Sequence, residues 1–148
     1  MRSILLGMGC LIMMLAGCSS SYKVAFDYDM RTNFGSYRSY SWLDASNEGG
    51  GLLGQRVKQA VNGELVARTL DPLPSNADLF VSYKLAVGGD PDKPAGTLTI
   101  QLVDAGSKII VWSGWATGAV DNPSSPQESQ EQINKIVADI MKNFPPPQ

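Results

Sequence analysis

The chain has 148 residues, a net charge of -2 and 18% charged residues, which gives room for one domain and no basic stripe of the kind that displaces counterions from nucleic acid. It contains no histidine, so the commonest general base and metal ligand is missing. Its two cysteines, Cys10 and Cys18, both fall in the first eighteen residues, which excludes a disulfide-stapled domain.

Arg2 supplies a short positive start, and Ile4 to Leu15 is almost wholly apolar. That run is shorter than the roughly 20 residues of a membrane span and suits the apolar segment of a secretory leader. Leu15-Ala16-Gly17-Cys18 follows and resembles a bacterial lipobox. The resemblance implies cleavage between Gly17 and Cys18, leaving Cys18 as the first mature residue with a thioether-linked diacylglycerol and an N-acyl chain such as palmitate. Small Ala16 and Gly17 let an extended backbone enter a peptidase, and the thiol accepts the lipid. Each buried CH₂ adds about 0.8 kcal/mol, so two or more chains hold a protein stably on a bilayer. An uncleaved anchor helix, or an ordinary leader with an incidental cysteine, is the competing reading. Ser19 and Ser20 follow the cysteine, with no aspartate, which by the same resemblance favours the outer membrane. The expected organisation is a leader over 1–17, a lipidated cysteine and tether over 18–21, and one domain over 22–148. Ser19 to Ser21 reach about 10 Å when extended, so that domain rides close to the membrane.

Within the domain, Tyr22 to Asp29 alternates Val24, Phe26 and Tyr28 against Lys23, Ala25, Asp27 and Asp29, the pattern of a strand. Met30 to Gly35 is a turn, and Tyr37 to Leu43 is a second strand with Tyr40 and Trp42 on one face. Asp44 to Gly51 is a polar, glycine-ended loop. Leu53 to Leu70 carries Leu53, Val57, Ala60, Val61 and Leu65 near helical spacing, and Asp71-Pro72-Leu73-Pro74 stops it. Asp78 to Val87 is a third strand, and Gly88 to Pro94 a loop.

Gly96 to Ala116 contains two β-rich runs around an Asp104-Ala-Gly-Ser-Lys108 turn, which predicts an antiparallel hairpin. Its first run alternates, whereas Ile109, Ile110, Val111 and Trp112 load both faces, as a central strand does. Ser125-Pro126-Gln127-Glu128 predicts a capping box opening a last helix, with Ile133, Ile136, Val137, Ile140, Met141 and Phe144 as its apolar stripe. The fold class that follows is α+β, in two layers: a largely antiparallel sheet of about five strands with two helices packed on one face.

Chemistry-bearing constellations are few. Asp27 with Asp29, and Asp90 with Asp92, lack the spacing and ligand number of a calcium loop and read as turn carboxylates. No histidine can activate a serine. Gly49 to Gly51 lacks the Gly-Lys-Ser/Thr that would make a phosphate cradle. No cofactor or metal is expected, and the chain reads as non-enzymatic. Tyr40, Trp42, Trp112 and Trp115 are the set that invites a binding function, if their strands pair to form an aromatic patch on the sheet face away from the helices. Ordinary packing is the plainer account of the same rings.

Phe26-Asp-Tyr-Asp29 with Asn33-Phe-Gly-Ser-Tyr-Arg-Ser-Tyr-Ser-Trp-Leu43 resembles the opening motif of a bacterial lipoprotein family, the domain of unknown function 4136. Gly96 to Asp104, Val111 to Ala116, and Phe144-Pro-Pro146 resemble its later motifs. Its short glycine-rich link before the first helix, and Leu-Asp-Pro-Leu-Pro after it, depart from that pattern. The resemblance implies an envelope lipoprotein and carries no activity or catalytic residues with it. The function expected is a periplasm-facing accessory or interaction module, with envelope proteins and the membrane as partners. The alternative is a small-ligand or lipid-binding module that uses the aromatic sheet face through Tyr40, Trp42 and Trp112.

Overall fold

The structure, a computed structural model, describes residues 21–43, 51–119 and 123–147. The lipobox, Cys18 and most of the glycine-ended loop lie outside the described residues. The elements are β1 (Tyr22–Tyr28), β2 (Ser39–Trp42), α1 (Gly51–Ala67), β3 (Asp71–Pro72), β4 (Leu79–Asp90), β5 (Lys93–Asp104), β6 (Ile110–Ala119) and α2 (Pro126–Met141). A 3-10 turn spans Phe34–Ser36. The strands form one sheet in the order β1-β6-β5-β4-β2-β3.

The fold class is the α+β one expected, with a six-stranded mixed sheet. Every pairing from β1 to β4 is antiparallel, while β2 runs parallel to both β4 and β3. The parallel pairing has a direct cause. A helix separates β2 from β4, and a helical crossover returns the chain in the same direction, which a tight turn cannot do. The sixth strand, β3, is the Asp71-Pro72 segment read from sequence as a helix stop, where the backbone N–H of Asp71 donates to Arg38 O at 2.9 Å. A proline is tolerated there because β3 is an edge strand.

Register separates the two faces. Val24 opposes Ala116, Tyr28 opposes Trp112, Leu102 opposes Trp112, Tyr83 opposes Ile100, and Tyr40 opposes Leu79. These side chains share the pleat face that the helices cover, and Leu79, Val81, Ile100, Leu102 and Trp112 are completely buried. Val57, Val61 and Leu65 of α1, and Val137, Ile140 and Met141 of α2, fill the other side of the core. The opposite sheet face carries Lys23, Asp27, Thr97, Thr99, Gln101, Ser113 and Thr117, with Trp115 among them.

The two helices run in the same direction. Gln130 Nε2 donates to Arg56 O at 3.4 Å near their starts. Near their ends, Arg68 donates from Nε to Phe144 O (2.6 Å) and from Nη2 to Met141 O (2.7 Å). The same guanidinium donates to the Glu64 carbonyl and carboxylate, so one side chain closes the last carbonyls of both helices.

Several local expectations shift. The helix read over 53–70 runs Gly51–Ala67. The loop read over 88–94 is a continuous ladder, with Gly88 opposite Ala95 and Asp90 opposite Lys93, leaving Pro91-Asp92 as the turn. Gly89 makes that possible with a φ of +94°, a conformation that side chains rarely adopt. Ile109 and Ile110 are 58% and 48% exposed, so β6 loads both faces only from Val111 inward. At α2, Ser125 Oγ accepts from the Glu128 N–H as expected. The Glu128 carboxylate returns one residue early, to Ser124 N–H (2.8 Å) and Ser124 Oγ, instead of closing the box on Ser125.

Candidate functional site

Ordinary packing accounts for Tyr40, Trp42 and Trp112, and no aromatic patch forms from them on the open sheet face. Tyr40, Trp42 and Trp112 alternate with residues of that face and point to the helix side. Tyr40 and Trp112 are completely buried, and Trp42 is half-buried against Tyr83, edge to face at 6.2 Å. Their polar atoms bind them into the core. Asn62 Oδ1, on α1, accepts from both Tyr40 OH (2.8 Å) and Trp42 Nε1 (2.9 Å), and Trp112 Nε1 donates to Asn143 O at 3.1 Å. Strand alternation puts Tyr40 and Trp42 together, but nothing in a single sequence tells which sheet face two later helices will cover. Trp115 does lie on the open face, opposite Ala25 and Thr99, apart from the other three rings. Cys18 and Gly17, the lipidation and cleavage positions, lie outside the described residues.

Of the paired carboxylates, Asp90 and Asp92 sit at the β4–β5 turn, where Asp90 Oδ1 accepts from the Asp92 N–H at 2.9 Å. Asp27 stays on the open face of β1, while Asp29 follows the strand, its N–H bonded to Val111 O. Asp29 Oδ1 accepts from Arg31 N (3.0 Å) and Nε (3.3 Å). Among the described residues, no group of three or more His, Cys, Asp or Glu side chains is placed to hold a metal ion.

Asp29 lines an open cleft of about 230 Å³ at this end of the sheet, together with Asn33, Ser36, Tyr37, Asp104 and Ser107. Ile109 and Val111 form its apolar wall. Three turns build it: the segment after β1, the 3-10 turn, and the β5–β6 turn. Asp104 Oδ1 accepts from Ser107 N (2.6 Å) and Oγ (2.8 Å), while its Oδ2 accepts from Tyr37 OH at 2.9 Å. One carboxylate thus holds its own turn and ties it to the Tyr37 segment. Close by, Asp78 Oδ2 accepts from the backbone N–H groups of Arg38 (2.8 Å) and Ser39 (3.1 Å), fixing the start of β2.

The electrostatics follow from these bonds. The Arg31 backbone N–H holds the Asp29 carboxyl below the usual aspartate range, and the Ser107 backbone N–H does the same for Asp104. Desolvation raises Tyr37, and its bond to Asp104 raises it further. At neutral pH the phenol therefore keeps its proton and the two carboxylates stay ionised. None of the three is poised near neutrality for proton transfer. The cleft instead offers fixed negative charge beside exposed aliphatic surface. Sequence reading placed these residues in a turn and a family motif without joining them; Asp104 with Ser107, three apart, was the local signal of a side-chain-held turn.

A two-layer α+β domain with its sheet open on one face defines the class of protein. The chain belongs to the family described as Domain of unknown function (DUF4136), whose model matches residues 24–146. No curated protein matches it. Among solved structures, a PDZ domain protein from Parabacteroides distasonis is similar over 86% of this chain, at 12% identity and a TM-score of 0.68. This chain spans only 36% of that protein's length. The PelC dodecamer from Paraburkholderia phytofirmans is similar at 15% identity and a TM-score of 0.59, over 86% of this chain and 99% of that one. A minor lipoprotein from Acinetobacter baumannii overlaps more loosely, at 8% identity and a TM-score of 0.41, over 73% of this chain and 92% of that one. At such identities the two closer overlaps show a shared fold alone.

Proposed function

We propose that this protein is a cell-envelope lipoprotein, anchored through acyl chains on Cys18, whose domain is a non-enzymatic interaction module facing the periplasm. One observation carries the reading: β1 begins at Tyr22, four residues after the lipobox cysteine, so the folded body follows the anchor with no intervening stalk. The cleft supports the second half of it. Its carboxylates and phenol hold turns and are not tuned toward neutral pH, as groups that bind and position do. Ser19 and Ser20 after the cysteine favour the outer membrane.

The test is proximity labelling in intact cells from the full chain and from Cys18→Ala, with mass spectrometry of the purified N-terminus. A diacylated, N-acylated Cys18, a Cys18→Ala protein that folds but leaves the membrane fraction, and envelope proteins labelled only by the anchored form are expected. An intact Met1 terminus or an unmodified thiol at position 18 would sink the anchoring. Envelope-glycan turnover by the pure protein would sink the non-enzymatic role.

A further inference from the structure

The N-terminal tether, the overhanging β4–β5 hairpin and the start of α1 meet at one end of the sheet, and the acidic cleft lies at the other. From this juxtaposition, and resting on the lipid-anchored reading above, we infer that the domain stands end-on upon a lipid bilayer, hairpin end toward the lipid and cleft toward the aqueous space.

The chain enters at a defined place. Tyr22 is paired with Gly118, and a Cβ on Gly118 would lie 2.7 Å from the Ser21 carbonyl oxygen and 2.6 Å from Tyr22 Cβ. Ser21, the last tether residue, therefore lies close against the end of β6. Anchored there, Ser19 to Ser21 allow about 10 Å between the acylated cysteine and the sheet.

The hairpin fills that gap. Among the described residues, β6 pairs with β5 as far as Ala119 opposite Ala95, while the β4–β5 ladder continues to Asp90 opposite Lys93. Measured from the row where the tether begins (Tyr22, Gly118, Gly96, Val87), the hairpin runs on about four residues to its Pro91-Asp92 turn, roughly 13 Å and comparable with the extended tether. The tip thus meets the headgroups when the tether is fully drawn out. Just behind it Val87, on the helix side of β4, is 73% exposed.

The start of α1 comes to the same level. Asn62 bonds Tyr40 and Trp42, and α1 runs opposite to β2, since Asp71 beyond its end pairs with Ser39. Ten residues back at 1.5 Å each places Leu52 about 15 Å further along, near the height of Leu85 to Val87. Leu52 is 68% and Leu53 41% exposed. The hairpin end therefore pairs a polar, headgroup-reaching tip with aliphatic side chains set behind it. The open sheet face, which would meet the lipid if the domain lay flat, presents Lys23, Asp27, Thr97, Thr99, Gln101, Ser113 and Thr117 around a partly buried Trp115. The cleft is out of reach: Tyr22 to Asp29 is about 23 Å of extended strand, more than twice the tether.

The experiment uses the full chain, processed in a bacterium and purified with its acyl chains. Single variants Val87→Cys, Gln101→Cys and Met30→Cys each carry a nitroxide and are reconstituted into phosphatidylethanolamine–phosphatidylglycerol vesicles doped with a nickel-chelating lipid. They sample the hairpin end, the open face and the cleft end. Relaxation by the headgroup nickel should be at least threefold greater at position 87 than at 101, and near the bulk-solution level at 30. A protein that floats with the vesicles but shows 101 more relaxed than 87, or all three alike, overturns the end-on orientation and leaves the anchoring intact. A protein that fails to float overturns both.

Discussion

Gly114→Ala adds one methyl group where β6 packs closely against α2. A Cβ there would stand 2.7 Å from Ile140 Cγ2 and 2.8 Å from Trp112 Cζ2, overlapping the indole further out on the same ring. Carbon atoms rest at about 3.5–4.0 Å, so the indole or α2 must move by about 1 Å. Neither is free to do so: Trp112 is completely buried, bonded to Asn143 O and packed edge to face on Phe144, and Ile140 is completely buried. Overpacking of this kind costs about 1–3 kcal/mol. Replacing a glycine also narrows the unfolded ensemble, which returns about 0.4–1 kcal/mol. The net expectation is a loss near 1.5 kcal/mol, a fall in Tm of about 5 °C for a domain of this size. Gly63→Ala supplies the control. Gly63 lies within α1, and beyond its own turns of helix nothing stands within 4 Å of its would-be Cβ, so only the propensity gain of about 0.5–1 kcal/mol remains. Thermal and urea unfolding of the two variants, followed by tryptophan fluorescence, should therefore shift in opposite directions. An unchanged or raised Tm for Gly114→Ala would mean that α2 lifts freely from β6, and the account of a close-packed interface would be wrong.

Three further outcomes follow from single side chains. Asn62→Ala removes the shared acceptor of Tyr40 OH and Trp42 Nε1, leaving a completely buried tyrosine unsatisfied; urea unfolding should register a loss of about 1–3 kcal/mol, with a larger loss than for Tyr40→Phe. Arg68→Lys keeps the charge but cannot reach Phe144 O, Met141 O and Glu64 together; a drop in Tm is expected, with faster amide exchange at the ends of both helices. The Asp78 carboxyl is held below its ordinary value, chiefly by the Arg38 backbone N–H. A depressed folded pKa gives stability that is present above the unfolded value of about 3.9 and lost as the pH falls through the folded one. Unfolding free energies measured from pH 6 to pH 2 should fall toward acid, and Asp78→Asn should flatten that slope; an unchanged slope would remove Asp78 from the account.

Local pattern determined much of this protein. Alternation marked β1, β2 and the β5–β6 hairpin, helical spacing marked α1 and α2, and Ser125 with Pro126 marked the start of α2, because each depends on residues within a turn or two of one another. The class of fold and the family motifs were legible for the same reason. Tertiary structure alone decided which sheet face the helices cover, and with it that Tyr40 and Trp112 pack in the core and form no aromatic patch on the open face. It also decided that β2 lies parallel to β4, and that Asp29, Tyr37 and Asp104, up to 75 positions apart, line one cleft. Those outcomes depend on how elements distant in the chain share one core. A side chain's position along its strand fixes the face it belongs to, but only packing fixes whether that face meets water or a helix.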